Sequence, residues 1–547
     1  MNHSIQYITE NVYCIEYMNS FVSSLPSLPS LPSFFFHYVL CVICALYLIS
    51  IAVLKFNYYY WYHQPLTFRF SVRRFWAARR PNTFTSTMNQ LNTNVNYENV
   101  KVYSTASYAL NYGHSDIPFH EIAELLNKDH NVTVNRGGTA TTAGATAPAM
   151  MIPYIHHERL ACILENETHG LAAFVGVYRS SRDIHGVSIL TPRIKIERDR
   201  ASNITAGAVP VSTSIYVCEH LAWSRYDISD RVGLELLETT EYIQKYREIA
   251  GEQTLYRYNE IPWFVIPFTT VYTYAISLEH SFINSQQQQQ QRHRRPHTDV
   301  VKVSSVNFAL FYAFINECSR DFSCSILNEI TYLQHLIQSG IYQIYMLLLN
   351  KTRVLSVYIY GPSWARASPE SLEYASKIHR NNNDSLHKKK TRTNRIERLH
   401  NYISQTSTAV IKYLPPVIPP KYDLSGKRVV ISRMGAGASS SADNDVLYNP
   451  SAEIPRLLSS IRNKQYCDTQ VFVDGFIESL KLRCRETGPG PGPGPGPVLI
   501  DTIAHNYTII DEIVRSGTPV LWTNKWYYVL YNAIIHRELP CKDLFMV

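Results

Sequence analysis

The residues with the clearest chemical potential lie at the end of the sequence. A strand-like run, Trp526 Tyr527 Tyr528 Val529 Leu530 Tyr531 Asn532, is followed by a connector and by Leu544 Phe545 Met546 Val547. Chain ends usually fray into polar residues, because a terminal carboxylate is costly to bury. An apolar tail that docks would carry its α-carboxylate inside, where it could serve as a chemical group; the plainer alternative is a last strand covering a core. A second candidate is the strand pattern Ser214 to His220, the loop Ala222 to Ile228 and a helix from Asp230 to Glu248. Val232, Leu236, Ile243 and Tyr246 recur there at helical spacing, and Ser229 can cap the helix. A strand feeding a loop and a helix N-terminus presents free N–H groups to an anion. The loop lacks a glycine-rich signature, however, and Asp227 and Asp230 oppose a phosphate.

Other chemistry-bearing residues carry less. His156 His157 Glu158 could ligate a metal, but adjacent histidines project differently and no further ligand stands at helical spacing, so a surface cluster and no metal site are expected. Cys41 and Cys44 form a CxxC inside an apolar stretch with no second pair, and the ten cysteines read as unpaired thiols in a reducing compartment. Met434 Gly435 Ala436 Gly437 Ala438 Ser439 fits a myristoylation signal, but it is internal, and an acceptor glycine must be N-terminal.

The elements that must position these groups occupy a chain of 547 residues with 45% hydrophobic content, enough for a full core. The formal charge of +8 gathers in two runs, Arg292 to Arg295 and His387 to Arg398, so a nucleic-acid-binding surface is not expected. Residues 1–33 form a tail with a Leu-Pro-Ser spacer. Residues 34–54 are apolar over the ~20 positions that a bilayer-crossing helix needs. Lys55, Arg69, Arg73, Arg74, Arg79 and Arg80 follow it and no Lys or Arg precedes it, which points to a membrane anchor with the large C-terminal part in the cytosol. The sequons at Asn131, Asn166, Asn203, Asn350 and Asn506 would then stay unmodified. The body divides into 58–278 and 301–547. A Gln-rich and basic insertion at 279–300 separates them, and disordered insertions are expected near 380–398 and 486–498. Both blocks mix strands and helices. In the first, Ile117 to Leu126 reads as a helix, and Ala161 to Glu165 and Leu171 to Tyr178 read as strands around a turn at Asn166 to Gly170.

Taken in chain order, several segments resemble the eukaryotic-type N-myristoyltransferases (glycylpeptide N-tetradecanoyltransferases). Tyr58 to Leu66 is similar to the family's Y-x-F-W-x-T-Q-P-V, Ile117 to Asn127 to its E-x-Y-x-L-L-N helix, and Gly170 to Gly176 to its K-L-V-G-F-I strand. Tyr216 Val217 Cys218 Glu219 His220 resembles F-L-C-V-H. Leu255 Tyr256 with Ile261 Pro262 resembles L-Y-T-A-G-x-x-L-P, and Tyr528 to Asn532 resembles Y-Y-L-Y-N. The likeness covers most of the first block and the last fifty residues or so; little aligns between Val301 and Ile500.

This resemblance implies a duplicated acetyltransferase-like (GNAT-like) α/β fold, of α+β type with a mixed sheet, and transfer of a fourteen-carbon acyl group from myristoyl-CoA to an N-terminal glycine amine. Burying such a chain at ~0.8 kcal/mol per methylene gives on the order of 10 kcal/mol, so an apolar tunnel can measure its length. Myristoyl-CoA would be a co-substrate, with no permanently bound cofactor, and the partners would be acyl-CoA, glycine-ended proteins or peptides and the membrane through residues 34–54. The implied catalytic groups are the backbone amides of Tyr216 and Val217 as an oxyanion hole and the carboxylate of Val547 as base. An α-carboxylate of pKa ~3.5 is a poor match for an amine near ~8, but burial raises the first and lowers the second. Acyl-CoA contacts carry over to Tyr58, Tyr60, Trp61, Gln64, Pro65, Arg225, Ile228 and Ser229, and peptide contacts to Tyr256, Arg257, Tyr528 and Asn532.

Several positions depart from the pattern. Ile215 replaces an amine-placing Asn, and Arg257 stands where the family has Thr. The phosphate-gripping loop keeps only Arg225 and gains Asp227. Trp522 to Lys525 replace G-D-G-N, and an acidic peptide-binding loop is missing. Side-chain drift leaves main-chain donors intact but weakens amine placement. The leading expectation is therefore an acyltransferase; the alternatives are a degenerate homologue that binds acyl chains or lipidated partners, and a membrane-anchored structural protein.

Overall fold

The computed structural model describes residues 33–70, 85–87, 95–104, 117–136, 151–153, 155–164, 173–180, 183–197, 211–223, 231–247, 253–277, 298–363, 365–367, 454–486, 497–516, 518 and 520–547. The Gln-rich, Asn/Lys/Arg-rich and Gly-Pro insertions fall almost wholly outside them. Two units divide the chain, Met1–His63 and Gln64–Val547.

The first unit holds helix α1 (Ser33–Asn57) and the single turn α2 (Tyr59–Tyr62). Its stretch His37–Asn57 is long and apolar enough to cross a membrane, and none of it is buried against protein. The hydroxyl of Ser50 donates back to the Leu46 carbonyl at 2.7 Å, so this polar side chain is satisfied within the helix.

The second unit is built on a 14-stranded mixed sheet. Its first half runs β1 (Thr85–Thr87), β2 (Val100–Ser104), α3 (Phe119–Arg136), β3 (Met151–Pro153), α4 (His157–Leu164), β4 (Phe174–Ser180), β5 (Asp183–Glu197), β6 (Val211–Trp223), α5 (Arg231–Arg247), β7 (Gln253–Tyr258) and β8 (Thr269–Ser277). The second runs β9 (Thr298–Lys302), α6 (Phe308–Cys318), β10 (Cys324–Leu327), α7 (Ile330–Gln338), β11 (Gln343–Leu349), β12 (Arg353–Gly361), β13 (Ala365–Ala367), β14 (Arg456–Arg462), α8 (Thr469–Glu486), β15 (Pro497–Asp501), α9 (Asn506–Arg515), β16 (Val520–Tyr531), β17 (Ala533–Ile535) and β18 (Leu544–Met546).

One plan is used twice. In the first half β2, β4, β5 and β6 form an antiparallel ladder, and a crossover through α5 brings β7 parallel to β6. In the second, β9, β11, β12 and β14 repeat the ladder, and α8 brings β15 parallel to β14. A parallel neighbour requires such a crossover. Both halves also carry a β-bulge at the same place. Ile189 and Leu190 pair with His220 and Cys218, leaving Glu219 as the extra residue; Ile359 and Tyr360 pair with Ser459 and Leu457, leaving Leu458. The expected mixed α/β class and its duplication are thus present in the backbone. The halves interlock, because β16 inserts between β7 and β8 while β8 pairs onward with β15.

Strand alternation sorts side chains to two faces. On one face Ile215, Val217 and Leu255 of the first half share a core cluster with Ile344, Met346, Val357 and Ile461 of the second, and with Phe311, Phe314 and Ile315 of α6. On the other face of the second half, Phe472, Phe476 and Leu480 of α8 and Ile509 and Ile513 of α9 pack on Tyr345, Tyr358 and Tyr360.

One expected element is corrected. Residues 161–164 were expected in a strand, whereas His157–Leu164 is helical, with Leu160, Ile163 and Leu164 buried at i, i+3 and i+4. Short apolar runs fit either period, and burial on one helical face decided this one. Other expected elements keep their type with shifted bounds: the helix at Ile117 to Leu126 is observed as Phe119–Arg136, the strand at Ser214 to His220 as Val211–Trp223, and the helix at Asp230 to Glu248 as Arg231–Arg247.

Close approach of helix and sheet makes one glycine necessary. A Cβ on Gly475 of α8 would stand 2.5 Å from the Tyr358 hydroxyl. That ring is wholly buried, and its hydroxyl bonds to the Phe472 carbonyl, so it has nowhere to move. Gly475→Ala is expected to lower unfolding stability by about 1–3 kcal/mol, read from chemical denaturation.

Candidate functional site

The parallel ladder between β6 and β7 is short. It pairs Ile215, Tyr216 and Val217 with Gln253, Thr254 and Leu255 and then stops. Past this point β6 bends at the Glu219 bulge and stays with β5, while β7 continues alongside β16 as far as Tyr258 opposite Tyr527. The two strands therefore splay into a wedge, with Tyr216 and Val217 on the last two rungs at its apex. On a regular strand successive N–H groups aim at opposite edges, so two neighbouring donors for one oxygen depend on a break in the pleat. The bulge supplies that break two residues beyond Val217.

The second half has an equivalent wedge, and it is filled. The ladder between β14 and β15 pairs only Arg456 and Leu457 with Leu499 and Ile500. Asn506, the first residue of α9, enters the gap: its Nδ2 donates to the carbonyls of Asp501 at 2.8 Å and Leu458 at 3.1 Å, and its Oδ1 accepts from the Ser460 hydroxyl. His505 completes the seal. Its N–H donates to the Ser460 carbonyl at 3.2 Å, and its Nδ1 accepts the Arg462 N–H at 3.1 Å. Burial, with Lys464 and Arg462 adding to it, lowers the His505 pKa to about 3, which keeps the ring neutral and able to accept. In the first half, the chain after β7 reaches β8 without a helix, so the position from which Asn506 reaches in has no counterpart there.

Beside the first wedge lies a charge pair between a buried arginine and a partly exposed glutamate. Arg193 of β5 donates from Nη2 to Glu219 Oε1 at 2.6 Å, and the Thr191 hydroxyl donates to the same oxygen at 3.0 Å. The guanidinium lies 5.2 Å from the centre of the Tyr332 ring. Burial is the largest single effect and works against the Arg193 charge, but Glu219, Tyr332 and Tyr342 together outweigh it and raise the pKa. The neighbouring Cys218 thiol is pushed far up by burial and by Glu219, so it is no nucleophile. On the α5 side, the Tyr256 hydroxyl donates to Glu241 at 3.0 Å, and the Tyr256 ring packs on Tyr531 at 4.4 Å.

The face that carries Val217 and Leu255 gathers several of the expected site residues. Arg257 lies with its guanidinium 4.4 Å from the centre of the Trp526 ring and is bonded to Tyr528, its partner across the β7–β16 ladder. Burial raises the Tyr528 pKa, with Arg257 pulling the other way. Tyr528, Val217, Leu255 and Val547 share one core cluster. Val547 is buried, and its N–H donates to the Ile326 carbonyl at 3.0 Å, extending the parallel pairing of β18 with β10. In sheet order β10 and β5 separate β18 from β6. Three strand spacings amount to roughly 14 Å along the sheet, so any approach of Val547 to the wedge runs through the core over the sheet face.

Of the remaining expected residues, Gln64 and Pro65 are buried, and the Pro65 carbonyl accepts the N–H of Asn532 at 2.9 Å. Asn532 is itself buried in a left-handed conformation, with φ of 56°, which asparagine tolerates better than most residues. Tyr58, Tyr60 and Trp61 belong to the first unit, where Tyr60 is buried and Tyr58 exposed. Arg225, Ile228 and Ser229 lie outside the described residues. Sequence reasoning missed Arg193, Glu219, His505 and Asn506. The two of each pair that meet are 26 residues apart for Arg193 and Glu219, and 46 for Ser460 and Asn506, so no local pattern signals them.

No family profile matches the sequence, and no curated protein does. Among solved structures, the chain is similar to Saccharomyces cerevisiae N-myristoyltransferase with bound myristoyl-CoA and inhibitors, at 9% identity and a TM-score of 0.48 over 88% of this chain and 92% of that one. It is similar to the same yeast enzyme with bound myristoyl-CoA at 8% identity and a TM-score of 0.47, covering 87% and 92%. A tandem GNAT protein from the clavulanic acid biosynthesis pathway follows at 8% identity and a TM-score of 0.37, covering 79% and 98%. The relationship is one of distant fold, not of family membership.

Two consequences can be measured. Removing the partner of a buried cation leaves its charge uncompensated, so Glu219→Leu, which strands Arg193, is expected to cost about 3 kcal/mol in denaturant unfolding. The double change Arg193→Met with Glu219→Leu should recover most of that loss. The second concerns α5, where burial and the neighbouring Glu235 raise the Glu238 pKa from 4.5 to about 7. Between these values the folded chain holds a proton that the unfolded chain has released, so stability falls as pH rises through the window. Glu238→Gln removes that slope, and its melting temperature relative to the unaltered protein should be higher at pH 8 than at pH 5.

Proposed function

We propose that the chain is an acyl-CoA-dependent acyltransferase whose reaction centre is the wedge between β6 and β7. The observation that carries this reading is the asymmetry between the two wedges: one is sealed by Asn506 and the other is built without that seal. At the apex of the splayed strand pair, main-chain donors in a low-dielectric interior are suited to hold a thioester oxygen. The finer reading is an N-myristoyltransferase-like reaction. The glycine nitrogen attacks the thioester carbon, the C–N bond forms as the C–S bond breaks, and the coenzyme leaves as its thiol. Backbone amides at Tyr216 and Val217 hold the oxyanion, and a carboxylate at Val547 takes the amine proton. Its burial in the cluster that holds Val217 and Tyr528 supports this role. The helix at 37–57 anchors the protein in a membrane, with the basic residues after it favouring a cytosolic body.

A second reading is a protein that binds acyl chains without turnover. The position of Arg257 favours it, since this cation fills space beside Tyr528 where an incoming amine would need room.

One experiment separates the two. Full-length protein in detergent is incubated with myristoyl-CoA and a glycine-ended peptide, and the peptide mass is followed. The enzyme reading expects acylated peptide, lost when one residue is added after Val547 while acyl-CoA binding persists. Binding of myristoyl-CoA with no acylated peptide from either protein would establish the second reading, and no binding at all would sink both.

A further inference from the structure

The N-terminal ends of α3 and α4 bring together side chains that are distant in sequence. His120 of α3 lies beside His157 at the start of α4, with their ring centres 5.8 Å apart. Those of His156 and His157 are 4.5 Å apart. The candidate ligand atoms of His156, His157 and Glu158 all lie within 4.8 Å of one another, and His156 Nδ1 is 3.6 Å from Glu158 Oε2.

The backbone beneath this cluster is held from two sides. Asn127 Nδ2 donates to the Ile155 carbonyl at 2.9 Å, and the Ile155 N–H donates to Asn127 Oδ1 at 2.7 Å. Asn127 and His120 are seven residues apart, close to two helical turns, so both face the segment that carries the other three ligands. Ile122 and Leu126 of α3, Leu160 and Leu164 of α4 and Ile155 share one core cluster. The positions are therefore framed by packing, with His120 and Glu158 exposed and His156 and His157 half-buried.

We propose that His120, His156, His157 and Glu158 form a zinc site that staples the start of α3 to the start of α4. Two imidazoles on one tetrahedral zinc, with Zn–N of ~2.0–2.1 Å, have ring centres roughly 5 Å apart and ligand nitrogens roughly 3.3 Å apart. The observed ring-centre spacings of 4.5 and 5.8 Å bracket this value. Imidazole and carboxylate donors suit zinc, and four protein ligands close its shell, which makes the site structural. The positive ends of two helices oppose a cation here, so the charge of Glu158 is needed to offset them. The adjacent-histidine motif looked incomplete in the sequence because its further ligand is 36 residues upstream, on another helix.

The test compares full-length protein in detergent with His120→Asn, His157→Ala and Glu158→Gln, each stripped with chelator and dialysed against zinc. Bound zinc is measured by atomic spectroscopy, melting with and without zinc is followed, and cobalt is substituted as a visible probe. The expected result is one zinc more per chain in the unaltered protein than in the two histidine variants. Zinc should raise its melting temperature, and cobalt should show the absorption of a tetrahedral site; His157→Ala should lose both. Glu158→Gln should bind zinc at least roughly tenfold more weakly. Equal zinc content and equal melting shifts across all four proteins would overturn the site, as would magnesium matching zinc.

Discussion

Backbone groups left unpaired in a protein interior must find partners, and both halves of this fold raise that demand at the same point. Each builds an antiparallel ladder, crosses over through a helix, begins a parallel pairing and breaks it after a few rungs at a bulge. What fills the gap then decides what each half does. In the second half the answer is internal: Asn506 and His505 satisfy the exposed main chain, and the site becomes structure. In the first half no helix follows β7, so the seal that Asn506 makes in the second half has no equivalent at the end of the β6–β7 ladder.

The interlocking of the halves follows from the same arrangement. β16 leaves the second half and inserts between β7 and β8, so Tyr528 stands against Arg257, and Tyr531 against Tyr256. A wall of the first wedge thus depends on the last part of the chain. One apolar cluster from both halves, joined by α6 and by the tail at Leu544, Phe545 and Val547, makes folding of either half hard to separate from the other.

Several interior charges are arranged in hydrogen-bonded groups. Arg193 with Glu219 and Thr191 lies by the first wedge. Arg456 with Asp501 ties β14 to β15, its Nε and Nη2 donating at 3.1 and 2.7 Å. Lys195 meets Gln253 at 2.6 Å, Thr85 at 2.9 Å and Glu197 at 3.1 Å. A buried ion pair adds little net stability, yet breaking one is costly, so such groups hold strands in one register. Lys195 links β5 to the first residue of β7, and Arg193 links β5 to the bulge, which steadies both walls of the wedge.

The amino-acid sequence by itself determined the elements whose signal is local. The apolar run that becomes α1, the strand from Val211, the helix from Arg231 and the apolar tail at Leu544 were all legible, because period and composition are read within a dozen residues. His157–Leu164 was misread for the same reason, since a short apolar run has no period of its own until something packs against it. Tertiary structure alone decided which wedge is sealed, which carboxylate meets Arg193, and that His120 stands beside His157. Each of those depends on residues far apart in the chain whose meeting is set by strand order and crossover, and a pairwise contact across such distances leaves no mark on either residue's neighbours.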